Sequence, residues 1–304
     1  LTRPIYHLAK GVLPEMSATE AEAIAAGDVW WDAQLFSGDP DWRAFADIPP
    51  AQLTEAEQAF LDGPVEQLCG MLDDWKITWE DRDLPEEAWE FIKRERFFGM
   101  IIPEAYGGLG FTPYAHSEVV RKIATRSVSA SVTVMVPNSL GPGELLLQFG
   151  TEAQKDHWLP RLADGREIPA FGLTSAEAGS DAAAMTDTGV ICEGEYQGRK
   201  VLGMRLNWAK RYITLGPIST VLGLAVKLKD PDRLLGDQED LGITVVLVPT
   251  DTPGVEIGRR HIPSMQAFQN GPNTGTDVFL PLDAVLGGEE QIGKGWMMLN
   301  AALA

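Results

Sequence analysis

Ile168-Pro169-Ala170-Phe171-Gly172-Leu173-Thr174-Ser175-Ala176-Glu177-Ala178-Gly179-Ser180-Asp181 is the stretch at which this 304-residue chain changes texture. It begins as an apolar strand and opens into a loop of small and hydroxyl residues. On its N-terminal side the chain reads as helices with explicit start signals. Ser17 with Glu20, Thr54 with Glu57 and Thr151 with Gln154 have capping-box spacing, in which two side chains satisfy free N–H groups at a helix start. After Thr54, the positions Ala56, Ala59, Phe60, Val65, Leu68, Cys69, Leu72 and Trp75 keep helical spacing, with Gly63-Pro64 as a break or re-start. Pro85 suits the first turn of another helix, a glycine loop follows at 107–110, and helices resume over 113–125 and 143–149. On the C-terminal side, Tyr212-Ile213-Thr214, Ser219 to Leu228, Ile243 to Val248 and Val278-Phe279-Leu280 read as further strands. No helix separates successive strands as a parallel doubly wound sheet requires, so the strands point to an antiparallel barrel or sandwich.

The fold class is therefore α+β: an N-terminal helical domain over 1–167, an antiparallel β-barrel-like domain over 168–290, and at 291–304 the first turns of a C-terminal helical bundle. The last expectation comes from Gly295 to Ala304, an apolar helix start of the kind a globular protein seldom leaves exposed. Composition narrows the function. The chain is 44% hydrophobic and 23% charged, ordinary globular values, and its formal charge of −19 argues against binding nucleic acid or anionic lipid through bulk electrostatics. Cys69 and Cys192 are too few for a disulfide framework or zinc cluster, and fit a reducing compartment. No apolar run has the length of a membrane span. His7, His116, His157 and His261 are dispersed, and G-x-S-x-G, P-loop and H-E-x-x-H patterns are absent. Gly107-Gly108-Leu109-Gly110 lacks the third glycine of a dinucleotide fingerprint and reads as a turn. Trp30, Trp31 and Trp42 read as core packing or a domain seam rather than a ligand cage.

Two stretches carry chemistry. In 168–181, glycines and alanines let backbone N–H groups approach an anion, while Thr174 and Ser180 add hydroxyl donors; a plain strand end with a Gly-Ser-Asp turn has the same composition. In Trp208-Ala209-Lys210-Arg211-Tyr212-Ile213-Thr214, period-two alternation puts Tyr212 and Thr214 on one strand face, where a ring beside a hydroxyl could cover a planar cofactor; an ordinary core strand explains it equally well. Arg199, Lys200, Lys210, Arg211, Arg259 and Arg260 form basic clusters that either greet phosphates or sit in solvated turns.

Taken in order, Gly150 to Lys155, Trp158 to Gly165, Leu173 to Asp181 and Lys210 to Thr214 resemble the acyl-CoA dehydrogenase family, as does the loop Ile102 to Gly110. Pro137 to Glu144 and Phe268-Gln269-Asn270-Gly271-Pro272 look closest to the bacterial long-chain members of fatty-acid β-oxidation. Two motifs depart from the family pattern: Thr174-Ser175-Ala176 stands where many members have Thr-Glu-Pro, and Tyr212-Ile213-Thr214 where Trp-Ile-Thr is usual. The resemblance implies FAD, walled by Phe171, Leu173, Thr174, Gly179 and Ser180 on one side and by Tyr212, Ile213 and Thr214 on the other. It places Thr174 toward the pyrimidine edge, Ser180 toward the pyrophosphate and the acyl-CoA substrate, and Thr214 near flavin N5. The implied reaction oxidises a long-chain acyl-CoA to the trans-2-enoyl-CoA and passes electrons to a partner flavoprotein. The family's glutamate base lies in the C-terminal bundle, beyond Ala304, so the chain by itself is expected to be catalytically incomplete; Glu177 is a weak substitute. A homo-oligomer is implied for the full-length protein. So is a cytoplasmic location, at the inner face of the membrane when an apolar segment precedes Leu1. An oxygen-using acyl-CoA oxidase, a flavin monooxygenase, and a non-catalytic flavin or acyl-CoA binding module are the rival functions.

Overall fold

The computed structural model describes residues 2–12, 21, 30–139 and 141–303. The helical half is built from local signals. Thr54 and Glu57 form a full capping box at α3 (Glu55–Phe60), after α1 (Thr2–Val12) and α2 (Trp42–Ala46). The Gly63-Pro64 break does not occur: a widened π turn, Leu61–Val65, absorbs the proline and carries the chain into α4 (Glu66–Met71), burying Leu61 and Val65. Trp75 leaves the expected apolar stripe because α4 stops at Met71 and Leu72 is extended; Trp75 is exposed and stacks with Trp79. Pro85 precedes α5 (Glu86–Arg94), and Gly107, at φ +81°, closes the turn Glu104–Tyr106. Then come α6 (Pro113–Ala124), α7 (Val128–Met135), α8 (Pro142–Phe149) and α9 (Glu152–Ala163), the last opened by the Thr151–Gln154 capping box. Helix α7 has no amphipathic signature in the sequence because it buries serines and a threonine along with its apolar residues. The Ser17–Glu20 pair lies outside the described residues.

The strands form a single curled sheet of seven strands: β1 (Pro169–Gly172), β2 (Thr188–Tyr196), β3 (Arg199–Thr214), β4 (Val221–Lys229), β5 (Asp240–Pro249), β6 (Val255–Ile257) and β7 (Asn270–Pro281). Its order is β1-β4-β2-β3-β7-β6, with β5 also on β4. Four pairings are antiparallel, as expected, but β1 and β2 both run parallel to β4. They take successive halves of β4: β1 pairs with 221–224 and β2 with 227–229. Consequently the chain leaves β1 and returns to the sheet at β2 through the loop 173–187, beside the last residues of β3. Helix α10 (Gly295–Leu303) packs back, with Met298 and Leu299 buried in the same apolar cluster as Ile243 and Val245 of β5.

Helices and sheet meet through one continuous apolar core that includes Phe60, Phe91 and Phe97 on one side and Ile191, Leu206 and Val278 on the other. Polar pins fix the register of that contact. The Ala267 amide donates to Ser129 Oγ at 2.8 Å, and Gln269 Nε2 donates to Asp83 Oδ2 at 2.7 Å. Buried Gln154 donates to the Asp283 and Val285 carbonyls and accepts from the Gly287 amide, so no end of its amide is left dry and unpaired.

Candidate functional site

A buried lysine organises the loop after β1. Lys210 Nζ, with no exposed surface, donates to Asp187 Oδ2 at 2.5 Å and to the Leu173 carbonyl at 2.9 Å, while Asp187 Oδ1 accepts from the Ala209 amide at 2.8 Å. Burial pushes the Lys210 pKa down, and the Asp187 carboxylate opposes that shift. The ion pair thus ties both ends of the loop 173–187 to β3. Backbone contacts repeat the tie: Ser175 bridges Lys210, and the Arg211 amide donates to the Thr174 carbonyl at 3.0 Å. Lys210 is therefore not free to meet a phosphate. Arg260 is committed too, donating to the Ala267 carbonyl. Arg199 and Arg259 are exposed, and Lys200, also exposed, pairs with Glu193.

The second stretch is bent rather than straight. The β3–β7 register shifts between Lys210 and Ile213, and Tyr212 sits in the left-handed region at φ +61°. The alternation that would place Tyr212 and Thr214 on one face is interrupted there, and the bulge turns the Tyr212 ring outward, 57% exposed, while Ile213 stays buried. A bulky residue at positive φ is strained, which concentrates at functional positions. Arg211 lies over one side of the Tyr212 ring, 5.1 Å from its centroid, and His261 packs at 5.3 Å. Thr214, half-buried, accepts from Asn270 Nδ2 at 3.2 Å.

The structure brings Leu173 and Thr174 directly against the Lys210–Arg211 segment that precedes Tyr212, Ile213 and Thr214. Phe171 lies against Gly223 of β4, where an added Cβ would meet its ring at 2.7 Å, and packs with Leu173 on the same apolar cluster. Gly179 and Ser180 lie at the exposed outer end of the loop, and no described hydrogen bond reaches the Ser180 hydroxyl. Buried polar atoms with no described partner cluster along this wall: Ser175 Oγ, Arg211 Nε, His261 Nδ1 and Asn270 Oδ1. Such atoms are costly in a finished interior and mark surfaces that a polar ligand completes. Asp187, His261 and the side-chain role of Asn270 escape the sequence reading, since their contacts arise only when distant segments pair. No group of three or more metal-ligating side chains occurs among the described residues. Trp30 and Trp42 are exposed, not core, and Trp31 stacks with Trp42 and Phe45 in a small surface cluster.

Residues 54–166 match the family model of the acyl-CoA dehydrogenase N-terminal domain, and residues 170–278 match that of the middle domain. The chain belongs to the acyl-CoA dehydrogenase family. Protein HemX of Proteus mirabilis is 54% identical over 80 residues, 26% of this chain and 47% of its own length. The probable acyl-CoA dehydrogenase FadE10 of Mycobacterium tuberculosis is 28% identical over 240 residues, covering 78% of this chain and 35% of that protein. The mitochondrial very long-chain specific acyl-CoA dehydrogenase of Rattus norvegicus is 28% identical over 255 residues, 81% of this chain and 37% of the relative. Among solved structures, butyryl-CoA dehydrogenase from Megasphaera elsdenii superposes with a TM-score of 0.69 at 24% identity, over 84% of this chain and 63% of that one. The FAD complex of PigA gives 0.69 at 22% identity with the same coverage, 84% and 63%. These likenesses establish the fold, and the chain spans between about a third and under two thirds of the proteins it matches over most of its length.

Proposed function

We propose that this chain is the flavin-holding portion of an FAD-dependent acyl-CoA dehydrogenase that converts long-chain acyl-CoA to trans-2-enoyl-CoA. The observation that carries the reading is the joined wall made by the loop 173–181 and the β3 bulge, with buried polar atoms on Ser175, Arg211, His261 and Asn270 that have no partner among the described residues. The residues fit a flavin. The exposed Tyr212 ring and the Thr214 hydroxyl suit a flat heterocycle with a polar edge, and Gly179 leaves open space where a side chain would stand. Membership of the family, the PigA complex with FAD and the very-long-chain name of the rat relative support cofactor and substrate class.

When bound, the flavin supplies the hydride acceptor for the substrate β carbon. The chain supplies the rest of the setting. Loop amides near Gly179 and the Ser180 hydroxyl would receive phosphate oxygens, Thr174 and Thr214 would present hydroxyls to the ring's polar edge, and Tyr212 would exclude water from the ring's neighbourhood. Lys210, buried and bonded to Asp187 and the Leu173 carbonyl, would position the loop for the cofactor and not contact it. On this reading neither Asp187, locked to Lys210, nor Glu177, exposed on the loop, is the base that takes the substrate α proton; the family resemblance puts that group in a C-terminal helical bundle. An electron-accepting flavoprotein and a homo-oligomeric assembly belong to the same reading. A cytoplasmic location, at the inner face of the membrane when an apolar segment precedes Leu1, does too.

Anaerobic titration of the full-length gene product with long-chain acyl-CoA tests the proposal. Bleaching of the visible flavin band without added oxidant supports it, and stronger response to long than to short chains supports the substrate class. A bound flavin that stays oxidised contradicts it, and stoichiometric peroxide on aerobic turnover would assign an oxidase instead.

A further inference from the structure

We propose that Asn270 is a positioning residue that sets the Thr214 hydroxyl as a hydrogen-bond donor toward the flavin. The proposal rests on the flavin-wall reading and adds to it a role for a residue behind Thr214 on that wall. Asn270 opens β7 directly opposite Thr214 in the ladder, and its side chain is 4% exposed. Its backbone is pinned, since its carbonyl accepts from the His261 amide at 2.6 Å, so the side chain is held where it stands. Nδ2 lies 3.2 Å from Thr214 Oγ1. A hydroxyl carries one proton and two acceptor sites. Once an amide N–H occupies an acceptor site, the hydroxyl's own proton is left to point away from Asn270, toward the open side of the half-buried threonine. The other end of the amide, Oδ1, is buried without a described partner, so the bond to Thr214 is the one described hydrogen bond the side chain makes. An asparagine serving only the ladder would not need its amide there, because the ladder uses backbone groups alone.

The test compares wild type, T214V, N270D and the N270D/T214V double variant in the full-length protein loaded with FAD. Thermal unfolding checks folding, and the readouts are the visible flavin spectrum, the flavin reduction potential and the FAD Kd. The carboxylate introduced by N270D would accept the threonine proton and turn the hydroxyl around. Accordingly, N270D should shift the spectrum and potential in the same direction as T214V and weaken FAD binding by roughly three- to tenfold, the scale of one hydrogen bond. In the T214V background the same change should have little further effect. If N270D leaves spectrum and potential superimposed on wild type, the proposal is overturned. If its shift persists in full without the hydroxyl, the charge acts directly and the proposal is again overturned. Should N270D fail to fold, N270L removes the donor without adding charge and must still shift the spectrum in the presence of Thr214 and not in its absence. A wild-type protein that holds no FAD would instead defeat the flavin-wall reading on which the proposal stands.

Discussion

A lysine ammonium with no exposed surface must have its charge answered, and Asp187 answers it. Lys210→Met should cost about 3–5 kcal/mol in denaturant unfolding, because a buried carboxylate loses its partner. Lys210→Met combined with Asp187→Asn should recover most of that loss; equal loss in single and double variants would show that the pair is not the cause. Packing makes a second demand at Trp208, whose indole donates to Asn273 and lies where a Cβ on Gly275 would stand, 2.0 Å from the ring. Gly275→Ala should therefore destabilise by about 1–3 kcal/mol or more, measured by thermal unfolding. At this scale the sequence was half legible. Thr174, Tyr212 and Thr214 stand out by residue type and motif as candidates, but Lys210 reads as either a phosphate contact or part of a solvated turn, and its burial against Asp187 is missed because nothing local announces a partner 23 positions away.

Elements were legible where the chemistry is local. The capping boxes at Thr54 and Thr151 form as their four-residue patterns dictate, and Thr151→Ala should cost about 1 kcal/mol. Glu57 does more than cap α3, because Oε1 also accepts from the Thr112 amide at 2.7 Å and so ties the start of α3 to the start of α6. Burial alone would raise its pKa, but the Thr54 and Thr112 amides outweigh that and hold the carboxyl below the ordinary glutamate range. A lowered folded pKa gives stability that is present above the unfolded value, ~4.3, and lost as pH falls through the folded one. Glu57→Gln should therefore destabilise by about 1–3 kcal/mol at neutral pH and make the loss between wild type and variant shrink in acid; a pH-independent difference would contradict the assignment. Strand β2 and the parallel pairings on β4 were not legible. Exposed Glu193 and Glu195 dilute the apolar pattern of β2, and strand direction depends on partners that lie some 40 residues away.

For the whole molecule, the segregation of helices from strands could be read directly, because apolar period changes at Ile168, but the manner in which the halves join could not. Their common core and the Ser129–Ala267 and Asp83–Gln269 pins come from long-range contacts. On the flavin-wall reading a ligand, and not the fold, requires the small residue at Gly179, whereas the neighbouring Ala178 is packed in the core. Gly179 isolates that claim, since its φ is not in the left-handed region and an added Cβ would meet nothing within 4 Å. The decisive measurement is the FAD dissociation constant of Gly179→Val in the full-length protein, taken beside its unfolding temperature. The account predicts an unfolding temperature of the FAD-free protein equal to wild type, together with FAD binding weakened by at least about tenfold, as a branched side chain displaces the cofactor. Wild-type affinity for FAD in a normally folded Gly179→Val protein would contradict it.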